Sequence, residues 1–190
     1  MHRLITAVAV VLAATALLTA CGSADQADKK STQQTGVAVT EVLIPSTLTV
    51  LTTKPTDAID VTVARTKPPG SAVTVQGRIG GRANPFIAER SAFLLADLKA
   101  IAGCDANPDD KCDMPWDFCC ETTAKIAAST CLVQVVDSDG KVATIPLNGI
   151  AGMAPGSNVV VTGSLSPQST PESVVIIAQA VYVEPTPAKK

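Results

Sequence analysis

The sequence predicts one mostly β domain with little helix, beginning some distance after the N terminus. Three observations support this prediction. Several short stretches alternate apolar and polar residues and are rich in β-branched side chains, which is typical of half-buried strands. Residues that form turns separate these stretches. The patterned part of the chain, residues 57–184, is about 130 residues long, which is enough to bury the core of one ordinary domain.

Five stretches carry the strand pattern. In chain order they are VTVQGRI at 73–79, LVQVV at 132–136, residues 141–147, NVVVTGSL at 158–165 and VVIIAQAVYV at 174–183. The third stretch is expected to pair with the second, because Asp-Ser-Asp-Gly at 137–140 has the chemistry of a tight turn. Residues 88–102 are ambiguous, since they are rich in good helix formers and end at Gly103, a typical helix stop.

The strands resemble those of the oligonucleotide/oligosaccharide-binding (OB) fold, a five-stranded Greek-key barrel. The matching runs are VTVQGRI at 73–79, AFLLAD at 92–97, LVQVVD at 132–137, GSNVVVTGSL at 156–165 and AQAVYV at 178–183. The resemblance implies that residues 92–97 form a strand leading into a short helix. It also implies an all-β fold with small α content, with a cysteine-rich insert at 104–131 between strands 2 and 3. Gly77 and Gly163 fall where barrel strands would bend sharply.

Nucleic-acid binding, an activity that this fold suggests, is disfavoured by the residues. The candidate binding-face residues are Arg78, Arg82, Arg90 and Phe93, and Phe93 is the only aromatic residue on the second and third strands. Without residues 1–20 the chain has 14 Lys and Arg (the total of 15 less Arg3) against 17 Asp and Glu, a net charge of −3. Such a chain has no general attraction for phosphates.

The first 21 residues predict export and lipid attachment. A basic start is followed by an apolar run from Leu4 to about Leu18, which is the pattern of a secretory signal. Its end, Leu18-Thr19-Ala20-Cys21, resembles the lipobox of bacterial lipoproteins. That resemblance implies cleavage before Cys21 and acylation of this cysteine, whose two or three acyl chains would anchor the protein firmly in a lipid bilayer.

The expected organisation has four parts. They are a signal peptide at 1–20, lipidated Cys21 with a flexible tether to residue 56, the barrel at 57–184 and a disordered tail at 185–190. Within the tether, residues 37–53 are apolar enough to be a docked strand or a sticky linker, and the sequence does not decide between them.

The expected location is the cell envelope. Gly22 rather than Asp follows the cysteine, which for a diderm source implies the outer membrane, facing the periplasm. The run GRIGG at 77–81 and the later PWDFCC at 115–120 resemble uncharacterised planctomycete-type envelope proteins, and this likeness implies no activity.

The cysteine-rich insert holds five of the six cysteines among many acidic residues. The cysteines are Cys104, Cys112, Cys119, Cys120 and Cys131. One interpretation is a loop held by disulfides, which contribute about 2–4 kcal/mol each in an exported protein and would leave one thiol unpaired. A second is a thiolate metal or redox site built on the first four cysteines, with zinc or copper(I) as the ion. The spacings of seven and six residues are not those of common zinc motifs.

Calcium binding is a third interpretation. Asp105, Asn107 and Asp109 mimic the first ligands of an EF-hand loop, but Asp110 and Trp116 stand where that loop has its glycine and its bidentate glutamate.

No enzyme signature is present. The only histidine, His2, leaves with the signal, so no Ser-His or Cys-His pair can form, and no cofactor is expected. The sequence therefore predicts a membrane-anchored, non-catalytic binding or structural module for an envelope protein or glycan. The alternatives are a thiolate metal-binding or redox protein and, with less support, nucleic-acid binding through the OB fold.

Overall fold

The structure is a computed structural model and describes residues 44–107 and 109–185. The predicted signal peptide, the lipidation site Cys21, the first part of the predicted tether and residues 186–190 of the predicted tail lie outside the described residues. Within the described ranges, no helix has the length and apolar character needed to cross a membrane.

Seven strands and two short α-helices run through the described residues. In chain order they are β1 (Thr49–Val50), β2 (Ile59–Asp60), α1 (Val61–Ala64), β3 (Ala72–Ile79), β4 (Ala92–Ala96), α2 (Thr123–Ala128), β5 (Thr130–Gln134), β6 (Asn158–Leu165) and β7 (Val175–Val183). Two short 3₁₀ turns, at Cys104–Ala106 and Ile150–Gly152, lie in the connections.

Five of the strands close into a barrel. They follow the order β3-β4-β5-β7-β6, and β6 pairs back to β3. All of these pairs are antiparallel except β5 with β7, which is parallel. This order is the five-stranded Greek-key barrel that the OB-fold resemblance implied. The predicted fold class is therefore confirmed, and the cysteine-rich insert lies between the second and third barrel strands, except that Cys131 is already part of β5.

Alternation along the strands decides which side chains fill the barrel. In β3 the side chains of Val73, Val75 and Ile79 are buried, while those of Thr74 and Gln76 are half-buried on the outside. Inward side chains of the other strands complete one core. They include Phe93, Leu95, Val133, Val159, Val161, Leu165, Ile176, Ala178 and Val181. Burying each large apolar side chain contributes about 1.5–3 kcal/mol, so this pattern is the main source of the stability of the barrel.

At two places the barrel strands approach so closely that a side chain does not fit. A Cβ at Gly163 would collide with the carbonyl oxygen of Ile177, where the register between β6 and β7 shifts. A Cβ at Gly77 would lie 2.5 Å from the carbonyl oxygen of Ala96 on β4. These are the two glycines that the sequence placed at strand bends, and the bends let a short barrel close.

Residues 44–56 pack on the barrel, although the sequence analysis placed them in the tether. Leu48 is buried in the core, and β1 pairs in parallel with β7, with Thr49 opposite Ala180. The hydroxyl of Thr47 donates a hydrogen bond to the carbonyl of Val136. The folded part thus begins before residue 57, and the described part of the apolar run at 37–53 docks on the domain through β1.

Two local predictions are wrong. Residues 98–101 form a turn rather than a helix, because Ile101 turns inward and packs with Phe118. The segment 141–147 makes a single β-bridge, between Val136 and Val142, instead of a strand. The carbonyl groups of Ala143 and Ile145 accept hydrogen bonds from the N–H and the hydroxyl of Ser91, so they do not pair with β5.

A buried carboxylate fixes the end of β4. Asp97 is 1% exposed and accepts four hydrogen bonds. One oxygen accepts from the N–H (2.9 Å) and hydroxyl (2.6 Å) of Thr62 in α1, and the other accepts from the N–H groups of Lys99 (2.9 Å) and Ala100 (3.1 Å). Burial by itself raises the pKa of Asp97, but these hydrogen bonds to the carboxylate outweigh it, so the pKa lies below its ordinary value.

Replacing Gly163 by alanine tests the close approach of β6 and β7. Gly163→Ala should lower the free energy of unfolding by about 2–3 kcal/mol, because the new Cβ must push two backbones apart. Urea unfolding followed by circular dichroism measures this change. Ser164→Ala, on the same strand, is the control and should stay within about 0.5 kcal/mol of the wild type. Equal losses in the two variants would contradict the steric explanation.

Replacing Asp97 by asparagine tests the buried carboxylate. Asp97→Asn should lower the free energy of unfolding by about 2–3 kcal/mol at pH 7. The amide N–H₂ of asparagine is a donor, and it would face either the two donors of Thr62 or the N–H groups of Lys99 and Ala100. The lowered pKa of Asp97 means that its contribution is complete above its unfolded-state pKa and is lost as pH falls through the folded value. The difference between wild type and variant should therefore shrink from pH 6 toward pH 2 in urea titrations. A difference that is constant with pH would contradict this role.

Candidate metal centre

The connection from β4 to β5, residues 97–129, carries the unusual chemistry of the chain. It leaves the barrel and returns at the same place, since the N–H of Asp97 donates to the carbonyl of Ser129 (2.9 Å). Phe118, which is fully buried, packs with Ala96, Ile101 and Ile126 in a second, small apolar cluster. Because the side chains of Phe93 and Leu95 point into the barrel, Ala96 lies on the outer face of β4. The connection therefore covers the end of the outer face of β4, at Ala96.

A tryptophan and two glycines fix the connection against the loop that follows β3. The indole N–H of Trp116 donates to the carbonyl of Ala83 (3.1 Å), and the carbonyl of Trp116 accepts from the N–H of Gly81 (2.8 Å). A Cβ at Gly80 would collide with that same carbonyl. Gly80 and Gly81 thus let the backbone of Trp116 approach the loop closely, because neither carries a side chain.

Phe118 turns the chain so that the next two cysteines face outward. Its φ is +57°, in the left-handed region that a bulky residue rarely adopts. Burial of the ring in the small apolar cluster holds this conformation, and the N–H of Cys119 donates to the Asp117 carboxylate (2.9 Å). Cys119 and Cys120 are exposed as a result, directly beside a fully buried anchor.

Four of the cysteines converge. We call Cys104, Cys112, Cys119 and Cys120 the thiol cluster. The Sγ atom of Cys104 lies 3.8 Å from those of Cys119 and Cys120, which are 3.9 Å from each other. The Sγ atom of Cys112 lies 3.9 Å from that of Cys119. The sequence named these four residues as the possible thiolate site, and the structure brings them together.

These distances fit metal coordination and do not fit disulfides. A disulfide needs its sulfurs at about 2.05 Å, and every described cysteine is a free thiol. Four sulfurs around one ion with bonds of about 2.3 Å lie about 3.8 Å apart at the edges of a tetrahedron. Four of the six sulfur–sulfur pairs in the thiol cluster lie 3.8–3.9 Å apart and match that edge length, and the sulfurs of Cys104 and Cys112 are within 4.8 Å of each other.

The thiol cluster has a closed side and an open side. Cys104, in the 3₁₀ turn Cys104–Ala106, is 8% exposed, Cys112 is half-buried, and Cys119 and Cys120 are exposed. Contact with Cys104, and then with Cys112 and Cys120, raises the pKa of the Cys119 thiol well above its ordinary value. Contact with Cys104 likewise raises the pKa of Cys120. Several thiolates would coexist here only if a cation held them together.

Asp110 adds an oxygen ligand that the sequence analysis did not single out. Its carboxylate lies within 4.8 Å of the sulfurs of Cys104 and Cys120, as the sulfurs of Cys104, Cys112 and Cys119 do among themselves. An Asx-type turn positions it, since its Oδ1 accepts the N–H of Cys112 (3.0 Å). In the sequence, Asp110 could have been recognised as a possible ligand only because it lies two residues before Cys112. It is one of several acidic residues in this loop, so its position did not distinguish it.

Two of the three residues proposed for calcium have side chains that already contact other groups of the protein. Asp105 forms a two-oxygen ion pair with Arg78 (2.9 and 3.0 Å), and the side chain of Asn107 accepts the N–H of Asp109 (3.1 Å). Among the described residues, neither Asp105 nor Asp109 belongs to a group of three metal-ligating side chains. The side chains of Asp105 and Asn107 therefore already have partners within the protein, whereas Asp109 is exposed.

The fifth cysteine is separate from the thiol cluster. Cys131 lies in β5, is 3% exposed and belongs to the barrel core. Burial raises its pKa to about 12. The five described cysteines thus divide into four in the thiol cluster and one in the barrel core.

The four predicted binding-face residues do not form one surface. The prediction for Phe93 is wrong, because strand alternation turns its ring into the barrel, where it is 2% exposed and packs on Phe86. Arg78 is held by Asp105, and Arg82 donates to the carbonyl of Asn84 (2.8 Å). Arg90 is exposed at the edge of a shallow apolar cavity.

Comparison with known proteins adds one distant likeness. No protein-family model matches the chain, and no curated protein sequence is significantly similar to it. The solved structure of the hypothetical protein YgiW from E. coli is 15% identical to the chain, with a TM-score of 0.36 over 72% of this chain and 96% of that one. The barrel topology of this protein therefore rests on its own strand pairing.

Proposed function

We propose that the protein is a lipid-anchored envelope protein whose OB-type barrel carries a metal-binding centre. The metal centre is supported by the sulfur–sulfur distances of 3.8–3.9 Å in the thiol cluster, and the anchor by the lipobox-like residues 18–21. These separations suit a soft cation with a full outer shell, zinc(II) or copper(I), which thiolates bind strongly. These distances therefore favour the interpretation of the cysteines as a metal site over their pairing in disulfides.

The surroundings of the thiol cluster also favour a cation. Six carboxylates lie between Cys104 and Glu121 against one lysine in the same stretch, Lys111. Arg78 neutralises one of them, at Asp105, and Lys125 another, at Glu121. The remaining negative charges attract a cation to the open side, where Cys119 and Cys120 are exposed.

A shallow cavity supports a second candidate, binding of an envelope protein or glycan. It measures about 440 Å³ and lies over β4 and β5, where Ile87, Ala92, Leu132 and Val142 give it an apolar floor and Arg90 and Gln134 add polar groups. Apolar walls with a few polar groups are typical of small-ligand sites. Nucleic-acid binding has less support, because Phe93 is unavailable for stacking and the β4–β5 connection covers part of the outer face of β4.

Replacing cysteines one at a time tests the metal centre. The signal-free protein, purified under reducing conditions, should bind one Zn²⁺ or Cu⁺ per chain in native mass spectrometry. Cys119→Ala should weaken binding at least tenfold, about 1.4 kcal/mol, because one ligand is lost. Cys131→Ala is the matched control and should bind like the wild type, because that thiol lies in the barrel core.

Two results would contradict the metal centre. Equal weakening by Cys119→Ala and Cys131→Ala would show that binding does not depend on the thiol cluster. Two intramolecular disulfides within residues 104–131 of the exported protein, seen by non-reducing mass spectrometry, would replace the metal centre by a disulfide-held loop.

Replacing Cys21 tests the proposed anchor. In a bacterial host with lipoprotein processing, the full chain should partition with membranes and carry acyl chains, since two or three chains bind a bilayer firmly. Cys21→Ser should be found in the soluble envelope fraction or with its signal uncleaved, because a hydroxyl cannot form the thioether. Detergent partitioning and intact-mass measurement distinguish these states. Membrane association of an unacylated wild type would contradict lipid anchoring.

A further inference from the structure

We infer that the metal centre is an exchange site, which passes its ion to an incoming thiol or chelator, rather than a permanent structural site. This inference rests on the proposed metal centre and goes one step further. It concerns how the ion leaves. The observation behind it is that two alternative ligand sets share a single buried sulfur, that of Cys104.

The two sets lie side by side. In one, the sulfurs of Cys104, Cys112 and Cys119 are mutually within 4.8 Å; in the other, Cys104, Asp110 and Cys120 are. Cys104 is the buried member of both, and the carboxylate of Asp110 is exposed. An ion held in the first set therefore has a second set available without any movement of Cys104.

Exposure gives an outside ligand access to the ion. Structural zinc sites surround the ion with protein groups, whereas exchange or catalysis requires a reachable position. Here Cys119 and Cys120 are both exposed, whereas Cys104 is buried. An incoming donor can bind the ion on this side before any bond to Cys104 breaks.

The exchange involves no oxidation or reduction. A deprotonated donor atom of the incoming ligand would bond to the ion while the bonds to Cys112 and Cys119 break, and each released thiolate would take up a proton from the solvent, which receives the proton that an incoming thiol loses. The Asp110 carboxylate occupies a vacated position, so the ion is held by Cys104, Asp110 and Cys120 during transfer. The remaining bonds then break in the same way, and the ion leaves in its original charge state.

Transfer of zinc to a coloured chelator tests this inference. The zinc-loaded, signal-free protein is mixed with increasing concentrations of 4-(2-pyridylazo)resorcinol, and formation of the coloured complex is followed by stopped-flow absorbance. An exchange site predicts a rate that rises in proportion to chelator concentration. A closed structural site predicts a rate that does not depend on the chelator, because the ion would leave only after the site opens by itself.

Asp110 and Asp113 provide matched variants. Asp110→Asn keeps an oxygen that can accept the N–H of Cys112 but removes the anionic ligand, so transfer should slow at least tenfold. Asp113→Asn removes an equally exposed charge in the same loop that belongs to neither ligand set, and transfer should be unchanged. Both variants should still hold one zinc ion at equilibrium, because three or more thiolates remain.

The outcomes separate the two proposals. No bound zinc in the wild type would mean that the proposed metal centre is absent. One bound zinc with a transfer rate independent of chelator concentration, or equal slowing by Asp110→Asn and Asp113→Asn, would overturn the exchange site and leave a structural metal centre.

Discussion

Closure of the barrel is the constraint on which the rest of the structure depends. Every barrel strand pairs on both sides, so the sheet has no open edge within β3 to β7. The parallel pair of β5 and β7 completes this closure, and β6 lies between β7 and β3. Gly163 allows the backbones of β6 and β7 to meet, because any side chain there would strike Ile177.

A closed barrel forces the β4–β5 connection to leave and return at one end. The bond between Asp97 and Ser129 joins its two ends, and the carboxylate of Asp97 ties α1 to the same point. The 31 intervening residues, 98–128, contain few large apolar side chains, so Phe118 supplies the anchor by packing on the outside of β4. The position of the thiol cluster follows from this anchor, since Cys119 and Cys120 are the next two residues.

Much of the fold was predictable because strand alternation is a local signal. β3, β6 and β7 begin and end within one or two residues of the predicted runs, and Gly77 and Gly163 lie where bends were expected. The failures are nonlocal. The segment 141–147 has strand chemistry, but Ser91, fifty residues earlier in the chain, takes its carbonyl groups. The sequence left residues 37–53 open between a docked strand and a linker, because nothing near Leu48 in the chain shows that the core has room for it.

The sequence by itself determined the all-β class and the residue types available for a soft metal ion, and it predicts export from the pattern of its first 21 residues. It left open how five cysteines divide, since their spacing permits several disulfide pairings as well as a thiolate site. Tertiary structure decided where each cysteine lies, because it places Cys131 on the inner face of β5 and brings the Sγ atoms of Cys104, Cys112, Cys119 and Cys120 close together. The physical reason is that a buried phenylalanine and a closed barrel fix where the loop runs, and both depend on contacts between residues far apart in the chain.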